Sequence, residues 1–153
     1  MKKLRIAVLG CGRIASVYEE AFYKLKEEAE IVLAMDKVLE RAEKFAEKFP
    51  GCYASDQVEF DSFRQILLQV KPDLVHILLP HHLHGRYSVV SMECGVHVLT
   101  EKPVTISLAE ADQLIEVRER TGMQLGVIYQ NRFIEGVQEV KRRIASGEEP
   151  FLH

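Results

Sequence analysis

The sequence predicts an α/β fold, a doubly wound parallel sheet of six strands with helices on both faces. Three observations lead to this prediction. Short apolar runs alternate along the chain with longer stretches whose apolar residues recur at helical spacing. Glycines and prolines separate the two kinds of segment. The first apolar run ends in a glycine-rich turn, which is typical of sheets with the strand order 3-2-1-4-5-6.

The first half of the chain contains three predicted strands, each followed by a helix. Residues 4–9 are apolar apart from Arg5, as expected of a strand that is buried on both faces. Residues 31–35 form the second apolar run, and residues 52–54 are at most a short third strand. The second helix stops at Pro50-Gly51 and the third before Pro72. The three apolar helix stripes are Ile14, Val17, Tyr18, Ala21, Phe22 and Leu25; Leu39, Ala42, Phe45, Ala46 and Phe49; and Phe60, Phe63, Ile66, Leu67 and Val70.

The second half of the chain repeats this alternation. Residues 74–79, 96–99 and 125–128 are the predicted fourth, fifth and sixth strands. A capping box of Ser107 and Glu110 begins the fifth helix. The stripes of the fourth, fifth and last helices are Tyr87, Val90, Ser91 and Cys94; Leu108, Ala111, Leu114, Ile115 and Arg118; and Phe133, Val137, Val140 and Ile144.

Length and composition exclude several classes of protein. The chain of 153 residues suits one globular domain, and its formal net charge of −3 gives no reason to expect nucleic acid or an anionic membrane as a partner. No apolar run resembles a signal peptide or could span a bilayer. The three cysteines have no paired spacing, which indicates free thiols and a cytoplasmic location.

The six histidines do not form a pattern typical of a metal site. Three of them lie between residues 81 and 84, but no cysteine or carboxylate stands at ligand spacing, so we expect no metal. His76 and His97 lie within predicted strands and are expected to be hydrogen-bonded core or edge residues.

The turn after the first strand reads Gly10-Cys11-Gly12-Arg13-Ile14-Ala15, and Asp36 closes the second strand about 20 residues later. This spacing is the fingerprint of dinucleotide binding. Gly10 permits a tight turn, Gly12 lets the backbone approach a pyrophosphate, and Ala15 lets the helix pack closely on the strand. The helix N-terminus offers free N–H groups to the phosphates, and Asp36 accepts hydrogen bonds from a ribose diol. We therefore expect residues 1–130 to be a dinucleotide-binding domain with the Rossmann fold.

Three further segments follow the fourth, fifth and sixth strands, where ligands bind on such sheets. They are Leu79-Pro80-His81-His82-Leu83-His84, Thr100-Glu101-Lys102-Pro103 and Tyr129-Gln130-Asn131-Arg132-Phe133. Together with the glycine turn, this set closely resembles the Gfo/Idh/MocA family, whose members are NAD(P)-dependent oxidoreductases that act mostly on sugars, inositols and related polyols. The resemblance runs from Leu4 to about Gly147, and the Glu-Lys-Pro triplet is its most specific part.

The resemblance implies roles for the triplet after the fifth strand. Lys102 is expected to be the catalytic residue, which binds the substrate oxygen and takes part in the transfer of its proton. Glu101 is expected to contact the nicotinamide end of the cofactor. Pro103 fixes the chain after the lysine, and a cis Lys102–Pro103 bond is plausible there.

The loop after the fourth strand departs from the family pattern, which is usually Thr-Pro-Asn-x-x-His. This chain keeps Pro80 and His84 but has Leu79 in place of the threonine and His81 in place of the asparagine. We expect Leu79, Pro80 and His84 to contribute to cofactor binding, although His84 could instead cap the helix that follows.

The remaining expected contacts divide between the two ends of the dinucleotide. Arg13 and Ile14 lie at the pyrophosphate, where Arg13 either covers the phosphates or is a solvated side chain. Asp36 favours NAD because a carboxylate repels the 2′-phosphate of NADP, but Lys37 could hold that phosphate, so NADP stays the alternative. The nicotinamide side is expected to be closed by the polar turn of Gln130, Asn131 and Arg132. Asn131 could instead cap the last helix.

Family members are much longer than this chain, and their second, α+β domain carries the substrate pocket. We therefore expect residues 131–153 to be a linking helix and the start of a missing substrate domain. The predicted function is the nucleotide-binding part of a sugar, inositol or polyol oxidoreductase, which binds cofactor with little turnover. Two alternatives are a non-catalytic regulatory or redox-sensing module and a short protein that forms homodimers through Phe133, Val137 and Phe151.

Overall fold

The structure, a computed structural model, describes residues 2–147, so Phe151 and the expected start of a second domain lie outside it. Within this range the chain forms one parallel sheet of six strands in the order β3-β2-β1-β4-β5-β6, which confirms the predicted fold class. The strands are β1 (Leu4–Leu9), β2 (Ala29–Met35), β3 (Tyr53–Ser55), β4 (Leu74–Ile77), β5 (His97–Glu101) and β6 (Leu125–Ile128). The helices are α1 (Arg13–Lys24), α2 (Leu39–Ala46), α3 (Phe60–Val70), α4 (His84–Glu93), α5 (Leu108–Thr121) and α6 (Glu135–Ser146). None of the helices between residues 2 and 147 is long and apolar enough to cross a membrane.

Helices pack on both faces of the sheet. On one face, α3, α4 and α5 pack on strand residues that include Ala7, Leu33 and Val75. On the opposite face, α1 and α2 pack on residues that include Val8 and Ala34. All five of these strand residues are fully buried, because successive residues of a strand point to opposite faces and both faces are covered here. The central strands are therefore apolar almost throughout.

Several strand boundaries differ from the prediction. β2 begins at Ala29, because Ala29 already pairs with the start of β1. β5 extends to Glu101, because its last residues pair with β6. β4 ends at Ile77, opposite the last residue of β1, and the third strand is Tyr53–Ser55. Partner strands set each of these limits, and the apolar runs alone do not contain that information.

The helix ends agree with the prediction in one case and differ in another. The hydroxyl of Ser107 accepts a hydrogen bond from the backbone N–H of Glu110 (3.3 Å), as expected of a capping box. By contrast, Gln130–Phe133 form a separate 3₁₀ turn, and α6 begins only at Glu135. Asn131 therefore does not cap the last helix.

The apolar stripe of α6 is exposed. Phe133, just before the helix, is 77% exposed, and Ile144 near its end is 59% exposed. Val137 and Val140 lie between them and are also largely exposed. The homodimer considered above would use this stripe, and it stays a prediction.

Candidate functional site

The glycine turn joins β1 to α1. Gly10 has φ +97°, and its N–H donates to the carbonyl of Met35 (2.7 Å). A Cβ at Gly10 would lie 2.7 Å from the carbonyl oxygen of Leu78, so a larger residue would clash with that backbone. At Gly12, directly before α1, a Cβ would meet nothing within 4 Å. The backbone of Gly12 thus borders open space at a helix N-terminus, where free N–H groups can hold an anion.

The next three residues divide between core and surface. Ala15 is fully buried where α1 packs on the sheet, which is the close packing that a small residue permits. Arg13 and Ile14 are exposed in the first turn of α1, beside the open space at Gly12. Both are therefore accessible to a molecule that binds at the turn.

Asp36 lies beside the glycine turn, directly after β2, and is buried. Its Oδ2 accepts a hydrogen bond from the N–H of Cys11 (3.0 Å), and its Oδ1 accepts one from the N–H of Val38 (3.0 Å). The guanidinium of Arg41, which no sequence pattern singled out, lies 3.9 Å from Oδ1. With the exposed Lys37, it places two cations next to the carboxylate.

Cys11 lies inside the glycine turn, but its sulfur is unreactive. Burial and, to a smaller extent, the negative charge of Asp36 raise the pKa of the thiol to about 12. Because the thiolate is the nucleophilic form of cysteine, the thiol at neutral pH is inert. The contribution of Cys11 to the site is its backbone N–H, which holds Asp36.

A buried histidine joins the loop after β4 to the loop after β5. His84 is the first residue of α4 and is fully buried. Its Nδ1 lies 2.6 Å from the carbonyl oxygen of Pro103, and its Nε2 lies 2.7 Å from that of Leu79. Because both nitrogens face these carbonyls, the ring does not cap α4. It holds the Leu79-Pro80 segment against the Lys102–Pro103 turn, and direct contact with a cofactor stays a prediction.

Glu101 ends β5 as a buried carboxylate with a donor on each oxygen. The hydroxyl of Tyr18 in α1 donates to Oε1, and the backbone N–H of Lys102 donates to Oε2 (3.2 Å). Burial and the adjacent carboxylate raise the pKa of Tyr18, so its phenol remains a donor. Lys102 is exposed, and its peptide bond to Pro103 is cis. The helical stripe predicted only an apolar role for Tyr18, although a partly buried tyrosine usually needs a partner for its hydroxyl.

The two strand histidines behave differently. His97 is hydrogen-bonded as expected, because its Nδ1 accepts from the N–H of Gln124 (3.0 Å). His76 is buried as expected, but among the described residues neither of its ring nitrogens has a hydrogen-bond partner, so that part of the prediction is wrong. The rings of Tyr18 and Phe22 pack on it edge to face, with centroids 4.6 and 5.9 Å away. Burial lowers the pKa of His76 to about 4, which keeps the ring neutral.

The polar segment after β6 forms the 3₁₀ turn described above. Gln130, Asn131 and Arg132 are all exposed on it. The side-chain amide of Gln138 in α6 donates to the carbonyl of Arg132, which ties the turn to the helix. The expected role of Gln130 and Arg132 at the nicotinamide side stays a prediction.

The segments after β1, β2, β4, β5 and β6 lie at one edge of the sheet, because all strands run in the same direction. Hydrogen bonds described above connect most of them: Cys11 with Asp36, Tyr18 with Glu101, and His84 with both of its loops. The edge thus combines a helix N-terminus next to open space, a fixed carboxylate and an exposed lysine. No group of three or more histidine, cysteine or acidic side chains that could hold a metal occurs among residues 2–147.

Comparisons with known proteins agree with this geometry. The Gfo/Idh/MocA model, described as an oxidoreductase family with an NAD-binding Rossmann fold, matches residues 4–129. D-glucoside 3-dehydrogenase of Escherichia coli (strain K12) is 28% identical over 144 residues, which are 94% of this chain and 40% of that protein. The scyllo-inositol 2-dehydrogenase (NAD(+)) of Bacillus subtilis (strain 168) is 30% identical over 146 residues, 95% of this chain and 41% of that protein.

A solved structure shows the same likeness in three dimensions. The WlbA dehydrogenase from Bordetella pertussis, in complex with NADH and UDP-GlcNAcA, superimposes with a TM-score of 0.86 at 26% identity. The match covers 95% of this chain and 43% of that one. The chain thus spans about two fifths of the length of these relatives.

Proposed function

Because the chain belongs to the Gfo/Idh/MocA family of oxidoreductases, we propose that it is the nucleotide-binding part of an enzyme that transfers hydride between NAD(P) and a sugar, inositol or related polyol. The observation that carries the proposal is the gathering of the glycine turn, Asp36 and Lys102 at one edge of the sheet. The names of the glucoside and inositol dehydrogenases support the substrate class. In this proposal residues 1–130 bind the cofactor, and residues 131–153 lead to a substrate domain.

The residues at the sheet edge fit a dinucleotide. The open space at Gly12 admits a pyrophosphate, and the first N–H groups of α1 hold its charge. Arg13 and Ile14 are exposed beside it. Asp36 is held at the turn by two backbone N–H groups and accepts from the ribose hydroxyls. Glu101 and Lys102, at the end of β5, would hold the other end of the dinucleotide.

The chemistry divides between the cofactor and the side chains of this chain. NAD(P), when bound, supplies the group that accepts or donates the hydride. The exposed Nζ of Lys102 binds the substrate oxygen and takes part in moving its proton. Glu101 fixes the backbone of Lys102, and His84 fixes the loop that carries it. A non-catalytic module would need no exposed lysine with its backbone and loop fixed in this way. The arrangement of Lys102 therefore favours an enzyme over a regulatory or redox-sensing module.

The cofactor preference depends on the surroundings of Asp36. Its carboxylate favours NAD, because a negative charge at the ribose repels a 2′-phosphate. Lys37 and Arg41 oppose this preference, since either cation could pair with that phosphate. Asp36 is the group fixed at the turn by two hydrogen bonds, so we propose NAD as the main cofactor and NADP as the weaker ligand.

Titration of the chain with NAD and NADP by isothermal calorimetry tests the proposal. We expect NAD to bind more tightly than NADP, with little turnover of polyols by the chain alone. Any polyol-dependent reduction of NAD should disappear in Lys102→Met, whose affinity for NAD should stay within about twofold of wild type. Failure of both cofactors to bind would refute the proposal, and turnover that survives in Lys102→Met would refute the role of Lys102.

A further inference from the structure

We infer that Tyr18 is a positioning residue for the nicotinamide end of the site, which it controls by holding Glu101 and, through Glu101, the backbone of Lys102. The inference rests on the proposed function, because it assigns Tyr18 a task at the same site. Tyr18 belongs neither to the glycine turn nor to the three polar segments that follow the fourth, fifth and sixth strands.

The contacts of Glu101 carry the first step. Tyr18 donates its hydroxyl to Oε1, while the N–H of Lys102 donates to Oε2 (3.2 Å). Glu101 is only 9% exposed, so water does not replace a lost donor freely. A buried carboxylate depends on such hydrogen bonds to keep its orientation. Loss of the Tyr18 hydroxyl therefore leaves Glu101 with one donor. That donor is the backbone N–H of Lys102, which Glu101 itself positions.

The surroundings of Tyr18 carry the second step. Its ring packs against the buried ring of His76, with centroids 4.6 Å apart, and against Phe22 at 6.5 Å. Tyr18 is therefore held in one orientation by contacts that do not involve its hydroxyl. Loss of the oxygen alone leaves these ring contacts in place, so the hydroxyl can be tested separately from the packing.

The position of Tyr18 along α1 carries the third step. The helix begins at Arg13, beside the glycine turn, and Tyr18 lies in its second turn. One rigid helix thus faces the pyrophosphate with its N-terminus and supports Glu101 with a side chain. Tyr18 is expected to act on the nicotinamide half of the dinucleotide only, because the adenosine half contacts the turn and Asp36.

Binding of NADH and of ADP-ribose to Tyr18→Phe tests the inference, since ADP-ribose lacks the nicotinamide. We expect the Kd of NADH to rise about tenfold, because the loss of a hydrogen bond to a buried carboxylate costs enough free energy for a change of that size. The Kd of ADP-ribose should stay within about twofold of wild type. Tyr23→Phe is the matched control, because Tyr23 is in the same helix and donates to the carbonyl of Lys48, away from the site (3.2 Å). It should change neither Kd.

A double-mutant cycle separates positioning from general stability. Glu101→Ala alone should reproduce the selective loss of NADH binding, and Tyr18→Phe should add little in that background. Unchanged NADH binding in Tyr18→Phe would overturn the inference, as would equal weakening of NADH and ADP-ribose, which is the mark of a purely structural role. A wild-type chain that binds neither ligand would refute the proposed function itself.

Discussion

Gly10 has φ +97° and lies against the backbone of Leu78, so Gly10→Ala should destabilise the fold itself. The added Cβ would meet the carbonyl oxygen of Leu78 at 2.7 Å and its carbon at 2.9 Å. Unstrained contacts between carbon atoms need roughly 3.5–4.0 Å. Leu78 cannot retreat freely, because its N–H donates to the carbonyl of Leu9 (2.8 Å). The positive φ costs about 1–2 kcal/mol and the overpacking about 1–3 kcal/mol, so the free energy of unfolding should fall by about 2–5 kcal/mol.

Urea denaturation followed by circular dichroism measures this loss, and Gly12→Ala provides the matched control. The same methyl group at Gly12 would meet nothing within 4 Å, and the backbone there (φ −81°) suits any residue. Gly12→Ala should therefore unfold within about 0.5 kcal/mol of wild type. It should nevertheless bind NAD at least about tenfold more weakly, because the methyl group occupies the approach to the pyrophosphate.

Two results would refute this reasoning. Gly10→Ala with a free energy of unfolding within about 1 kcal/mol of wild type, at an unchanged denaturant slope, would show that the contact with Leu78 is not restrictive. Gly12→Ala with full affinity for NAD would show that the open space at Gly12 does not receive the pyrophosphate.

Three further predictions concern buried or paired charges. The pKa of His76 is about 4 in the folded protein, whereas an unperturbed histidine, as in the unfolded chain, has a pKa of 6.5. The free energy of unfolding should therefore fall as the pH drops from about 6.5 toward 4. His76→Leu should flatten this profile in urea denaturation and add about 1–3 kcal/mol at pH 7, and an unchanged profile would contradict the assignment. Hydrogen bonds from Arg64 (2.7 Å) and Arg120 (3.2 Å) lower the pKa of Glu93. The two ion pairs therefore stabilise the fold at pH values above 4.5, the ordinary pKa of a glutamate, and this stabilisation is lost as the pH falls below 4.5. Glu93→Gln should cost about 0.5–1 kcal/mol at pH 7 and progressively less as the pH falls below 4.5, measured in the same assay, and an equal loss across this range would count against the ion pairs. Asp36→Asn should lower the preference for NAD over NADP roughly tenfold in calorimetric titrations, whereas an unchanged ratio would assign the preference to another residue.

The sheet and its layers are predictable because each depends on a local pattern. A run of apolar residues without polar interruption indicates a strand that is covered on both faces, and a helical stripe indicates which side of a helix is buried. Strand limits are less predictable, as β5 shows. Its extension to Glu101 depends on pairing with β6, and the sequence of β5 alone carries no sign of that pairing.

The candidate site is predictable where one short motif contains the whole function, as in the glycine turn. Contacts between distant segments are not predictable in this way. Tyr18 and Glu101 are 83 residues apart, and only the tertiary fold brings α1 to the end of β5. The surroundings of His76 have the same origin, because the aromatic rings that pack on it come from α1.

During translation β1 is made before the other five strands of the sheet, yet it lies inside the sheet and must wait for one of its two neighbours. β2 emerges soon afterwards, whereas β4 emerges only after three helices have been synthesised. Until then one edge of β1 is unpaired in the nascent chain and open to wrong partners. The backbone of Leu78, which closes over Gly10, arrives with β4. The glycine turn is thus synthesised well before the segment that closes over it, and it acquires its final shape only once Leu78 has emerged.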